Sequence, residues 1–247
     1  MRNRVEIKSD AKQLIRVSRV SPLVMSALLV IITFVLERLP MLAGFPFFTA
    51  KYVQTCLDAM VTGSYAAVDE MILSMLQQAS PFFFFLPILV SLATLVLNSG
   101  YYIYCMGIRR GMVMPYSTLM DGLGVAGKLI WCWVQMTVRL FLWTSLFIIP
   151  GIIAAYRYRF AYYNILTDGS LSAGDAIRLS CQQTYGVKME LFILDLSFIG
   201  WNLLVPFTFG VLNIWLIPYM TLCDIAYFED AQNRLGRSFF SGNGWEL

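Results

Sequence analysis

The chain has 247 residues, 58% of them hydrophobic and 13% charged, with a mean hydropathy of +0.67. Soluble domains carry about 25% charged residues, so a soluble domain is excluded, and the apolar length suffices for several membrane crossings of about 20 residues each. The net charge of +3 points to no nucleic-acid partner, and the lack of any histidine removes the usual general base, the Ser-His triad and the commonest metal ligand.

The chain opens with a basic amphipathic helix over residues 2–21. Ile7, Ala11, Leu14, Ile15 and Ser18 recur on one face, and Arg4, Lys8, Lys12, Arg16 and Arg19 line another. Such a helix suits an anionic inner leaflet, as a headgroup- or partner-binding element or as a topology anchor. The first span begins at Pro22 and extends over 22–42. The basic segment before it is long for a signal-peptide n-region and no small-x-small site follows, which favours a signal-anchor.

Residues 47–80 leave the membrane as an extracytoplasmic loop. Two short amphipathic helices are expected there, with Val53, Cys56, Leu57, Met60 and Val61 on one stripe and Val68, Met71, Ile72, Met75 and Leu76 on the other. The second span covers 81–106, opens on Phe82 to Phe85, and carries Asn98 in its second half. Tyr101, Tyr102 and Tyr104 fit an interfacial belt, and Arg109 and Arg110 mark a cytoplasmic exit. Gly122, Gly124 and Gly127 match GxGxxG, but no strand precedes them and a span follows. They are read as flexible loop glycines and not as a dinucleotide site.

The third span covers 128–149 with Arg139 near its middle, and Pro150-Gly151 is read as a turn or kink. Residues 152–167 follow as a fourth span. It is short, roughly 24 Å at about 1.5 Å per residue, and contains Arg157 and Arg159. A re-entrant or interfacial helix is the alternative there. A cytoplasmic helix over 172–186 is capped by Ser172. The fifth and sixth spans cover 189–206 and 209–228, joined at Pro206 to Gly210, and a polar cytoplasmic tail closes the chain over 231–247.

The basic residues support this order. Arg2, Arg4, Lys8, Lys12, Arg16, Arg19, Arg109, Arg110, Lys128, Arg178, Lys188, Arg234 and Arg237 all fall inside; only Arg38 and Lys51 fall outside. The positive-inside rule thus predicts an all-α, six-span protein of the cytoplasmic membrane with both termini in the cytoplasm. Cys56, Cys105, Cys132, Cys181 and Cys223 are dispersed without CxxC spacing and read as small apolar fillers.

A charge at mid-membrane costs at least about 2.5–3.5 kcal/mol on insertion scales, so each needs a reason. Arg157 and Arg159 descend towards the cytoplasm, and Asp195 and Asp224 lie at similar depth in the last two spans. The arginines and acids are therefore expected to meet in the inner half of the bundle. Arg139 has no acid to answer it. The candidate ligand or lipid site is accordingly Asn98, Arg139, Arg157, Arg159, Asp195 and Asp224. One reading is a polar cavity that binds an anionic headgroup or relays protons. The other is a set of structural ion pairs that fix helix registry.

From Tyr156 onward several elements occur together: Tyr156-Arg157-Tyr158, Asp168, the run Leu171 to Ile177 with Ser180, Leu194 to Trp201, Thr208-Phe209-Gly210, Trp215 to Tyr219, and Tyr227. In these the chain resembles the bacterial membrane-protein family called domain of unknown function 975. Gly186-Val187-Lys188 departs from the Lys-Gly-Asn-like turn expected of it. The resemblance implies a polytopic inner-membrane protein without assigned activity, loosely similar to the membrane domain of some glycerophosphodiester phosphodiesterases. It carries over no catalytic residue.

These observations favour a non-enzymatic module that binds a lipid, a small ligand or a partner protein, with a small transporter as the alternative. The expected partners are anionic inner-leaflet lipids and a further protein or a second copy of the chain; no cofactor, metal or nucleic acid is expected. HExxH and GxSxG are absent from the sequence, and an enzyme is the weakest reading.

Overall fold

A computed structural model describes residues 3–18, 21–42 and 81–236, with scattered positions between 54 and 73. Among the described residues the chain is all-α. Most of the loop expected over 47–80, and Arg2, Arg19, Lys51 and Arg237, lie outside the described residues. Leu57, Met60 and Val61 of the first expected loop stripe are helical and exposed.

The helices are α1 (Arg4–Val17), α2 (Pro22–Leu42), α3 (Pro81–Arg109), α4 (Ala126–Leu146), α5 (Ile148–Tyr158), α6 (Ala161–Thr167), α7 (Ala173–Gln183), α8 (Lys188–Leu204) and α9 (Asn213–Arg234). Short 3-10 helices cover Tyr116–Val125 and Pro206–Thr208. Four segments are long and apolar enough to cross a membrane: Pro22–Pro40, Phe85–Arg109, Tyr116–Leu146 and Lys188–Thr208. They suggest a multi-pass membrane protein.

Two of the six expected spans do not qualify on length and hydropathy. Residues 148–167 are divided at Arg159-Phe160 into α5 and α6. In α9, Asp224, Glu229, Asp230, Gln232, Asn233 and Arg234 dilute an otherwise apolar helix. That helix also begins later and runs further than expected, taking in residues 229–234 that the sequence assigned beyond the last span.

Two compact units divide the chain, Ile31–Thr94 and the remainder. In the smaller unit, the far part of α2 stacks Arg38 on the Phe34 ring one turn back, 4.7 Å from its centroid. Its stretch of α3 contains Pro87, whose carbonyl accepts from Ser91 Oγ at 2.8 Å. The site lies in the larger unit.

There α9 is the central helix. From Leu216 to Gln232 it is buried on most of its circumference, with Leu222, Cys223, Ile225, Ala226, Tyr227, Phe228 and Ala231 fully enclosed. Burial on this many sides makes it the core helix of the unit, despite the acids it carries. α1 packs against it through Ile7, Ala11 and Ile15, the i, i+4, i+8 stripe read from the sequence. A capping box starts α1: Asn3 Oδ1 accepts from Val5 N–H at 3.3 Å and the Glu6 carboxylate accepts from Asn3 N–H at 3.1 Å.

α4 and α5 form an antiparallel pair turning at Phe147, whose backbone is extended (φ −158°, ψ 148°). The turn therefore precedes Pro150-Gly151, where the sequence placed it. Pro150 sits in the first turn of α5, where its missing N–H costs no helical bond. Gly151 lies against Thr144: a Cβ there would stand 3.1 Å from Thr144 Cα and closer still to its hydroxyl. At the other end of the pair, Lys128 Nζ donates to the Gly169 carbonyl. The α5–α6 segment thus retraces α4 along its whole length.

The first half of α9 runs back beside the end of α8. Trp201 meets Trp215 at 5.8 Å between centroids, and Phe198 meets Tyr219 edge-on at 5.3 Å. Between the helices the chain turns through Phe209 (φ 50°) and Gly210 (φ 83°).

The GxGxxG segment is not a flexible loop. Residues 116–125 form the longer 3-10 helix, and Gly122 is buried against α3. A Cβ on Gly122 would stand 2.9 Å from the Gly100 amide nitrogen, and nearer to Val96 O and Ser99 Oγ. A Cβ on Gly100 would stand 2.6 Å from the Leu119 carbonyl carbon. The two glycines allow backbone-to-backbone approach, as small residues do where membrane helices cross. Gly124 and Gly127 face open space.

Candidate functional site: an arginine clamped by two aspartates

The helix break at Arg159-Phe160 would leave backbone groups unsatisfied. Ser180 of α7 repairs it: its hydroxyl accepts from Phe160 N–H at 3.1 Å and donates to Arg157 C=O at 2.7 Å. Thr184 Oγ1 adds a longer contact to the same carbonyl, at 3.4 Å. Removing this hydroxyl with Ser180→Ala should cost about 1–3 kcal/mol, the penalty for a buried N–H left unmade. A lowered thermal midpoint of the purified protein, with Ser180→Thr closer to wild type, is the expected readout.

The break fixes Arg159 where α5, α8 and α9 converge. Its Nη1 donates to Asp195 Oδ2 at 2.5 Å and its Nη2 to Asp195 Oδ1 at 2.8 Å. The same Nη2 reaches Asp224 Oδ1 at 2.8 Å and Oδ2 at 3.0 Å. Tyr156 donates its hydroxyl to Asp195 Oδ2 at 2.8 Å and offers its ring to the guanidinium, 5.7 Å away. One fork thus ties two helices to the break, a task that suits the planar guanidinium and not an ammonium. Arg159 and Asp224 each expose 19% of their side chain and Asp195 32%, so the cluster is largely desolvated.

The other candidates stand apart from this clamp. Arg139 donates to Gln135 Oε1 at 3.2 Å, one turn back on α4. The Arg157 guanidinium is half-buried and has no hydrogen-bonded or ion-pair partner among the described residues. Asn98 is half-buried in α3 and makes no side-chain hydrogen bond among them either.

The basic residues of α1 divide. Arg4 and Arg16 are exposed. Lys8 donates to Ser197 Oγ at 2.6 Å and lies over the Phe198 ring at 4.7 Å; Lys12 lies over the Tyr219 ring at 5.6 Å. Burial against these neighbours lowers the Lys8 ammonium from its ordinary value. The two lysines therefore hold α1 to α8 and α9 as well as lending it charge.

Two polar arrangements escaped the sequence reading. Arg109 and Glu229 form a two-pronged ion pair, Nε to Oε1 at 2.9 Å and Nη2 to Oε2 at 2.6 Å, with only 6% of the arginine side chain exposed. Asn164 and Gln183 exchange amide hydrogen bonds at 2.9 and 2.8 Å, and Gln232 donates to Asn164 Oδ1 at 3.3 Å. In the sequence Arg109 marks a cytoplasmic exit, and Glu229 falls just past the last expected span. Their shared position at the same end of two spans was the available signal.

No curated protein and no solved structure matches the chain. A family model does, over residues 1–234, nearly the whole chain and including every residue of the clamp. The chain belongs to that family, described as protein of unknown function (DUF975).

Proposed function

We propose that the protein is a non-enzymatic, six-span module of the bacterial cytoplasmic membrane that binds an anionic lipid headgroup through Arg139 and Arg157. Six crossings are supported by the two retracing pairs. If α4 crosses, the segment returning beside it from Phe147 to Gly169 crosses back, and α9 does the same beside α8. Both termini then lie in the cytoplasm, as the distribution of basic residues requires.

One observation carries the binding role. Arg159 is answered by two carboxylates, whereas no carboxylate among the described residues pairs with Arg139 or Arg157. Interpolation between the Thr144–Gly151 and Lys128–Gly169 contacts puts Arg139 and Arg157 at neighbouring levels of the α4–α5 pair. Two unanswered guanidiniums at one depth are costly in a bilayer. A lipid phosphate offsets that cost with charge-assisted, two-pronged hydrogen bonds.

The test is native mass spectrometry of gently purified protein. Wild type should retain an anionic lipid. Arg157→Ala should weaken retention, and Arg139→Ala with Arg157→Ala should abolish it. Unchanged retention in the double variant would remove the proposal.

The broken helix at Arg159-Phe160 favours the transporter reading, because transporters place their sites at discontinuous helices. Ser180 bonds both sides of this break, which fits a fixed joint better than a moving one.

A further inference from the structure

On the side where α3 ends, a cavity of about 500 Å³ opens between α3, the 3-10 helix and α6. Its wall is formed by Met106, Met112, Met114, Met120, Ile103 and Leu166, with Arg110 and Asp121 as its charged groups. This volume is within the range of about 300–1,000 Å³ typical of small-molecule sites. Methionine walls adapt to flexible apolar ligands. Arg110 directly follows the last residue of α3, and burial lowers its guanidinium from the ordinary value, with Glu229 opposing. Asp121 is exposed and keeps its carboxylate in water.

The rim of the cavity is apolar as well. Met112, Val113, Met120 and Leu123 are exposed, and Tyr116 beside them is the kind of residue that settles at a membrane interface. In the six-span arrangement this rim lies at the inner leaflet, so a lipid can reach the cavity without passing through water.

We propose that this cavity is a second, separate site, which takes a single-chain amphiphile with an anionic head: a fatty acid or a monoacyl anionic lipid. The chain lies among the methionines and the head meets Arg110. Nothing in this assignment uses Arg139 or Arg157, so it stands or falls independently of the headgroup role given to them.

Gly124 supplies the test. It lines the cavity, its added Cβ meets nothing within 4 Å, and its φ is not positive, so a larger side chain enters the space without distorting the fold. The full chain in phosphatidylcholine nanodiscs is titrated with dansyl-labelled undecanoate and with its uncharged alcohol analogue. Saturable binding of the acid is expected for wild type. Gly124→Phe, or the milder Gly124→Leu, should weaken it at least about tenfold with the thermal midpoint unchanged. Arg110→Gln should weaken binding of the acid and spare the alcohol. Equal affinity in wild type and both Gly124 variants would overturn the proposal, as would partitioning no greater than into empty nanodiscs. Displacement of the probe by inorganic phosphate alone would also overturn it, because the site would then recognise a free anion and not an amphiphile.

Discussion

Arg159→Gln should be among the most destabilising single substitutions in the chain. It leaves Asp195 and Asp224 facing each other across α8 and α9 with no cation between them. Breaking a buried ion pair from one side costs about 3–5 kcal/mol, because the partner charge stays behind unpaired. The partial exposure of Asp195 places the expected loss towards the lower end of that range. Arg159→Lys should recover only part of it: an ammonium restores the charge but not the fork that reaches both carboxylates. The decisive comparison is the triple variant Arg159→Met, Asp195→Asn, Asp224→Asn. If the loss arises from uncompensated charge, removing all three charges should raise the thermal midpoint above that of Arg159→Gln. A triple variant no more stable than the single one would show that the clamp acts by some other route.

Gly100→Val should be of similar severity for a steric reason. The added carbons would enter the backbone of Leu119, not the tip of a mobile side chain. Overpacking a well-packed contact costs about 1–3 kcal/mol, and a rigid backbone neighbour puts this site at the top of that range. Gly122→Val should do comparable damage from the other side, where Val96 O and Gly100 N stand in the way. Gly127→Ala is the matched control, since its Cβ would meet nothing within 4 Å. The check is the fraction of monodisperse protein on size exclusion and its thermal midpoint. Gly100→Val and Gly122→Val should fall well below wild type while Gly127→Ala matches it.

Much of this was legible in the sequence, for physical reasons that can be named. The acids at 195 and 224 stood in apolar runs, and charges in such runs demand partners. Their meeting with an arginine followed from depth alone. Which arginine was not legible: Arg157 and Arg159 lie two positions apart, which places them on nearly opposite sides of a helix. Only the break at Phe160 and its repair by Ser180 decide that Arg159 faces the acids.

The GxGxxG glycines show the converse. Their spacing suggested a mobile loop, because a close approach is set by the neighbour and not by the glycine. Nothing near Gly122 in sequence announces that Gly100 and Val96 press against it. The turn after α4 was misplaced because Pro150 punctuates a helix start as readily as an end. The face of α1 that carries Lys8 and Lys12 was read as turned to lipid because its charges were visible and the rings of Phe198 and Tyr219 were distant in sequence.

The headgroup role of Arg139 and Arg157 and the inner-leaflet access to the cavity both require that residues 148–167 and α9 cross the membrane. Single cysteines in a background without the native five test this topology directly in intact cells with a membrane-impermeant maleimide. Phe207 and Tyr185 are suitable positions, 81% and 77% exposed and at opposite ends of α8. Six crossings predict that Phe207→Cys is labelled from outside and Tyr185→Cys only after the membrane is opened. Labelling of Tyr185→Cys from outside, with Phe207→Cys protected, would contradict the account: residues 148–167 would not cross, and α8 and α9 would be inverted.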